Sequence, residues 1–141
     1  DLYEEIDAGT TGVALIASTS LPRGQVLFDR IGGTILPRPN RHSIQVGEDK
    51  HLLCGGDVVL CNHSCEPNCI LKATLETHAH VSVVVAAETI SPGEYLTIDY
   101  NSFEWNMSSP FDCICGSKHC NGKIAGFSKL PLAVQQRYLH N

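Results

Sequence analysis

The apolar residues of this chain come in short runs, each cut off by a turn signal. Leu15-Ile16-Ala17 and Gln25-Val26-Leu27-Phe28 flank Leu21-Pro22-Arg23-Gly24, where proline fixes φ and glycine permits a positive one. Tyr95-Leu96-Thr97-Ile98-Asp99-Tyr100 follows a second such turn, Ser91-Pro92-Gly93-Glu94. Runs this short suit strands and leave little room for amphipathic helices. Further strands are expected over Arg30–Leu36, bent at Gly32-Gly33, over the alternating Ser43-Ile44-Gln45-Val46, and over His51–Cys54. Ile70–Leu75 and Val81–Ala86 form the clearest hairpin, joined by Glu76-Thr77-His78-Ala79-His80. His78 and His80 read as a solvated tip rather than a metal pair, and Gly9-Thr10-Thr11-Gly12 as a flexible surface loop. Residues 101–112 read as irregular. One helix is expected, Leu130–Leu139, with Pro131 in its first turn and Leu132, Val134, Tyr138 and Leu139 as its apolar stripe.

A length of 141 residues fits one domain, and 43% hydrophobic residues suffice for a packed core. The net charge of −5, with no clustered Lys or Arg, argues against binding nucleic acid through its phosphates. It suits a cationic partner such as a lysine-rich peptide. No apolar run approaches the ~20 residues that span a bilayer, and the opening Asp1-Leu2-Tyr3-Glu4-Glu5 is unlike a signal peptide. The expectation is an intracellular protein, nuclear or cytoplasmic, without a membrane segment. No Gly-x-Gly-x-x-Gly follows a strand and no Gly-x-Ser-x-Gly occurs, which excludes the commonest nucleotide-binding and hydrolase signatures. Seven cysteines, an odd number, do not make a fully paired secreted framework. Cys113, Cys115 and Cys120 lie too close in sequence to bridge one another readily, yet converge easily on a metal.

Three segments together carry a specific resemblance. Asn62-His63-Ser64-Cys65-Glu66-Pro67-Asn68, then Gly93-Glu94-Tyr95-Leu96-Thr97-Ile98-Asp99-Tyr100, then Phe111-Asp112-Cys113-Ile114-Cys115-Gly116 through Cys120 stand in this order. They resemble the two signatures and the post-SET cysteine segment of SET-domain protein lysine methyltransferases. Leu21-Pro22-Arg23-Gly24-Gln25-Val26 resembles an early turn of the same domains. The resemblance implies a mainly β, β-clip fold of short strands with a knot-like C-terminal crossing, a post-SET zinc segment and a short C-terminal helix. It divides the chain into a SET domain (1–108), a zinc-binding post-SET segment (109–127) and a C-terminal helix and tail (128–141).

The resemblance also implies a chemistry. S-adenosylmethionine would be held by Gly12, Val13 and Ala14, by Asn62 and His63 (the histidine through its backbone), beside Tyr100, with Phe111 packed on its adenine. Tyr100 would be the catalytic residue, orienting a neutral lysine amine for in-line attack on the methyl group. A free lysine holds its proton to a pKa of ~10.4, so an apolar channel would favour the amine by desolvation. Cys65 would join Cys113, Cys115 and Cys120 around a structural zinc, while Cys54, Cys61 and Cys69 would be core thiols. The substrate would be a lysine-containing peptide or protein, a histone among the candidates. The chain departs from the family at Ala14, where a second glycine is usual, and at Val59-Leu60-Cys61, where an arginine-containing triplet is usual. These departures keep two alternatives open: a SET scaffold turned to small-molecule chemistry, and a non-catalytic peptide-binding module.

Overall fold

Strand character is plainest where burial alternates. In the segment His80–Val85 the side chains of Val81, Val83 and Val85 are buried while those between them are half-buried, the period of two that a pleated strand imposes. The computed structural model describes residues 1–9, 12–75 and 78–140. Thr10 and Thr11 of the glycine-flanked loop, Glu76 and Thr77 of the hairpin connection, and Asn141 lie outside the described residues.

The strands are β1 (Tyr3–Asp7), β2 (Val13–Ala17), β3 (Leu21–Pro22), β4 (Val26–Ile31), β5 (Gly33–Leu36), β6 (Ile44–Gly47), β7 (Lys50–Cys54), β8 (Asn62–His63), β9 (Cys69–Thr74), β10 (His80–Val85), β11 (Thr89–Ile90), β12 (Thr97–Ile98), β13 (Phe111–Asp112) and β14 (Lys123–Ile124), followed by the helix α1 (Leu132–His140). Two three-stranded antiparallel sheets, β4-β10-β9 and β5-β7-β6, carry most of the ladder. The rest pair in twos: β1 with β2, β3 with β11, β8 with β12, and β13 with β14. The β9–β10 hairpin runs in register from His80 opposite Thr74 to Val85 opposite Cys69. Gly33 begins β5 because a Cβ there would stand 2.1 Å from the Leu53 carbonyl oxygen. The mainly β expectation holds.

One core gathers both sheets. Leu15, Leu21, Phe28, Leu52, Val58, Val81, Val83, Ile90, Leu96 and Ile98 are buried in a single cluster, each contributing roughly 1.5–3 kcal/mol by leaving water. Cys54, Cys61 and Cys69 belong to it, as expected. Burial pushes the Cys61 thiol up to about 12 and Cys69 up to about 11, so both stay neutral.

Some elements differ from the sequence reading. The strand expected over Tyr95–Tyr100 is confined to Thr97–Ile98. The Tyr95 carbonyl is taken by the Asn68 side chain at 2.7 Å, and Tyr100 already belongs to a 3-10 turn, Tyr100–Ser102. Asp99 caps that turn by accepting the Asn101 N–H at 3.0 Å. The helix starts at Leu132 rather than Leu130, because Leu130 is drawn into the interior and Pro131 offers its carbonyl to Val134 and Gln135. Leu132 and Leu139 are 69% and 75% exposed, so the expected stripe shrinks to the half-buried Val134 and Tyr138. β1 had no period-two signal, and β13 interrupts a stretch read as irregular. His78 is exposed, while His80 opens β10 and is half-buried.

Candidate functional site

The site is built where two distant segments run side by side. β8 and β12 pair in parallel, Thr97 opposite Asn62 and Ile98 opposite His63, and the Ser64 N–H donates to the Ile98 carbonyl at 3.0 Å. Asn68 locks the crossing. Its side chain donates to the Tyr95 carbonyl at 2.7 Å and accepts from the Thr97 N–H at 2.9 Å. Its own carbonyl accepts the N–H groups of Ala86 and Ala87. The Glu-Pro-Asn ending of the first signature is therefore a clamp on the second. From the other side β2 joins the same segment: Ile16 pairs antiparallel with Tyr95, and the Leu96 N–H donates to the Leu15 carbonyl at 2.9 Å. That register runs the start of β2, with Gly12, Val13 and Ala14, toward Thr97 and its partner Asn62. Ala14 is buried at 1% exposure, whereas Val13 is 40% exposed. Gly12 has φ 81, a left-handed conformation that a side chain would strain.

Tyr100 leaves β12 directly into this crossing. Its hydroxyl donates to the Cys61 carbonyl at 2.7 Å. Burial raises its pKa, helped by the nearby Cys61 and Glu104, so the phenol stays protonated and presents its lone pairs as acceptors. His63 and Phe111 pack edge-on around the Tyr100 ring, at centroid distances of 5.2 and 5.9 Å, and Phe103 lies tilted at 5.9 Å. The structure thus brings His63, Tyr100 and Phe111 into one aromatic cluster.

His63 has a second role that its sequence context does not announce. Its Nδ1 accepts the Tyr100 N–H at 3.0 Å, so the ring proton belongs on Nε2, which faces the Cys65 Sγ at 3.3 Å. Burial lowers its pKa to about 4. The 3.7 Å approach of Asp99 to Nδ1 is therefore not an ion pair, because that nitrogen carries no proton to share. Asp99 is held instead by the Tyr138 hydroxyl of α1, a short hydrogen bond that ties the C-terminal helix to the signature. The imidazole joins the backbone of Tyr100 to the first cysteine of the sulfur cluster.

The Sγ atoms of Cys65, Cys113, Cys115 and Cys120 all lie within 4.8 Å of one another, with 3.9 Å between those of Cys65 and Cys113. Zn–S bonds of ~2.3 Å in a tetrahedron put sulfurs about 3.8 Å apart, so the four thiols fit a structural zinc. The Asn121 N–H points at the Cys65 Sγ from 3.3 Å and the Cys115 N–H at the Cys113 Sγ from 3.4 Å, donors that suit thiolates.

The profile of the SET domain family matches residues 12–101 of the chain. The chain belongs to the SET-domain family. Methyltransferase flvH of Aspergillus flavus is 38% identical over 125 residues, covering 86% of this chain and 66% of that protein. The histone-lysine N-methyltransferase ash1 of Drosophila melanogaster is 39% identical over 75 residues, 53% of this SET chain and 3% of its own. An H3 lysine-36 specific enzyme of Coccidioides immitis is 31% identical over 141 residues, 88% of this chain and 14% of that one. The chain therefore spans less than two thirds of these relatives. Among solved structures, KRYPTONITE in complex with mCHH DNA, H3(1-15) peptide and SAH aligns over 86% of the chain and 29% of its own, with a TM-score of 0.68 at 24% identity. At that identity the likeness is one of fold.

Two cavities among the described residues lie away from the expected donor residues. One of about 620 Å³ opens between Cys65, Pro67, Ile70, Asp99, Asn121 and Tyr138. The other, about 340 Å³, is lined by Gln45, Asn101, Phe103, Glu104, Trp105 and Phe127, among others. Gly12, Val13, Ala14, Asn62, His63 and Phe111 line neither. Sequence reasoning missed Asn68, Tyr138 and Glu104. Asn68 could have been found, since it sits in the signature; Tyr138 and Glu104 act through tertiary contacts that no local pattern encodes.

Proposed function

We propose that this SET domain is the catalytic part of an S-adenosylmethionine-dependent methyltransferase acting on a lysine amine. The observation that carries the reading is the parallel pairing of β8 with β12, with Asn62 opposite Thr97 and His63 against Tyr100, in a family whose relatives are described as methyltransferases. S-adenosylmethionine would supply an electrophilic sulfonium methyl group. Gly12, Val13, Ala14 and Asn62 would hold it, with His63 offering its backbone and Phe111 its ring face. The Tyr100 hydroxyl, its proton committed to Cys61, leaves its lone pairs to an amine N–H or a methyl C–H. That fixes the attacking nitrogen in line without a charged base at the site. Zinc held by Cys65, Cys113, Cys115 and Cys120 would keep residues 109–127 closed over the SET core (1–108), with the tail 128–141 docked through Tyr138. The substrate would be a lysine-bearing protein, histone H3 among the candidates, in the nucleus or cytoplasm. No helix among the described residues is long and apolar enough to cross a membrane.

A second reading, a small-molecule amine as acceptor, stands beside it because the relative covered to 66% of its length is named only a methyltransferase, with no histone in its description. Calorimetry with S-adenosylmethionine followed by radiolabel transfer tests both. Donor binding with transfer to histone or lysine peptides supports the first; donor binding with transfer only to free amines supports the second. No donor binding overturns both.

A further inference from the structure

Among the described residues, the smaller cavity holds a carboxylate without a cation. Glu104 follows the Tyr100 turn, its N–H donating to the Tyr100 carbonyl at 2.9 Å. It is only 6% exposed. One carboxylate oxygen accepts the Gln45 N–H at 2.8 Å, and among the described residues no Lys, Arg or His pairs with it. Burying a lone carboxylate costs several kcal/mol unless a counter-charge arrives. Burial accordingly pushes its pKa up to about 7.

What surrounds the carboxylate is suited to a cation. Trp105 and Phe127 stack at 5.8 Å and 29° and both line the cavity, and aromatic faces attract ammonium groups through their quadrupole. Asn101 also lines it, at 1% exposure, with neither amide atom in a hydrogen bond. The Tyr138 hydroxyl, close enough to feel that amide, donates to Asp99 instead. Phe103 links the cavity to Tyr100: it lines the cavity, and its ring lies tilted at 5.9 Å from that of Tyr100. The cavity is thus a vestibule that neighbours the tyrosine through Phe103, with both polar and aromatic residues in its lining.

We propose that this vestibule is an alkylammonium-binding subsite, with Glu104 as the residue that captures the protonated form of the amine before it reaches Tyr100 as the neutral nucleophile. The assignment of a role in turnover rests on the methyl-transfer reading; the binding of a cation does not. Glu104 supplies the charge, and the stacked Trp105–Phe127 pair offers an apolar wall to the methylene stem. The site would discriminate against neutral isosteres of the same shape.

Trp105 is the single tryptophan of the chain and is 54% exposed, so its fluorescence reports on the cavity directly. The zinc-loaded full chain, without methyl donor, is titrated with pentylammonium chloride and with 1-pentanol. The expected result is saturable quenching by pentylammonium with an affinity at least about tenfold above that of pentanol, the size of one charge-assisted contact. Glu104→Gln, which keeps an acceptor for the Gln45 N–H, should remove that tenfold preference and leave pentanol unchanged. Equal affinities for the two probes in the wild type, or an unchanged preference in E104Q, overturn the subsite. Should E104Q fail to fold, nuclear Overhauser contacts between pentylammonium methylenes and the Trp105 and Phe127 rings in the wild type decide, and their absence overturns it. In the transfer assay, E104Q should raise KM for lysine peptide more than it lowers kcat. Cation binding without any transfer would sink the methyl-transfer reading and leave the subsite; transfer with unaltered KM in E104Q would leave methyl transfer standing and overturn the role of Glu104 in turnover.

Discussion

Tyr100 is placed by its neighbours rather than by its own strand. Its hydroxyl spends its proton on Cys61, its N–H on His63, and its ring meets His63, Phe103 and Phe111. Tyr100→Phe keeps the ring packing and loses one hydrogen bond, about 1 kcal/mol. It should leave the melting temperature within a few degrees while lowering kcat by roughly 10²-fold or more; calorimetric melting and radiolabel transfer check the two halves, and normal turnover would refute the role. Glu104 carries a pH prediction. Its folded pKa of about 7 lies above the ordinary glutamate value of 4.5, so the native state holds a proton that the unfolded chain releases. Its contribution is fully present below about 4.5 and is lost as pH rises through about 7. Glu104→Gln removes the penalty of the buried charge. In chemical denaturation it should be near neutral at pH 5 and stabilising at pH 8, by up to about 3 kcal/mol; the same effect at both values would show that Glu104 does not titrate in this range.

The zinc segment and the helix are short elements held by side chains, because neither has the ladder or the apolar face to hold itself. Cys65→Ser should lower zinc content and transfer activity together, since the same residue touches His63, which touches Tyr100. Metal analysis and radiolabel transfer on one preparation measure this; full zinc with lost activity would separate the roles. Tyr138→Phe should release α1 from Asp99, seen as faster amide exchange over residues 132–140 at a cost of roughly 1–2 kcal/mol. The β9–β10 hairpin and the Pro-Gly turns were legible in sequence because period two and turn chemistry are local. The cysteine cluster was legible because Cys113-x-Cys115-x4-Cys120 is a spacing, although Cys65 came only through the family resemblance. β1, with Glu4 and Glu5 exposed at a sheet edge, has no pattern to read and forms because β2 offers a partner. Tyr95 looked like the start of a strand until Asn68 took its carbonyl. Glu104 carries no local signal, and only the approach of β6 and Phe127 encloses it.

At the scale of the molecule, the fold depends on contacts between segments far apart in sequence, with Asn68 joining the residues after β10 to the residues around β12. Asn68→Ala should cost roughly 2–4 kcal/mol and, in denaturant melts, lower the midpoint without changing the slope; a loss under 1 kcal/mol would mean that the crossing holds without its clamp. The bond from Tyr138 to Asp99 has a practical corollary. The family profile stops at residue 101, which invites expression of a fragment cut there. Such a fragment would retain both signatures and still be an incomplete protein: Asp99 would lose its phenol, Cys65 its three sulfur neighbours, and the core the buried Ile124 and Leu130. The boundary of recognition in this chain falls well short of the boundary of folding.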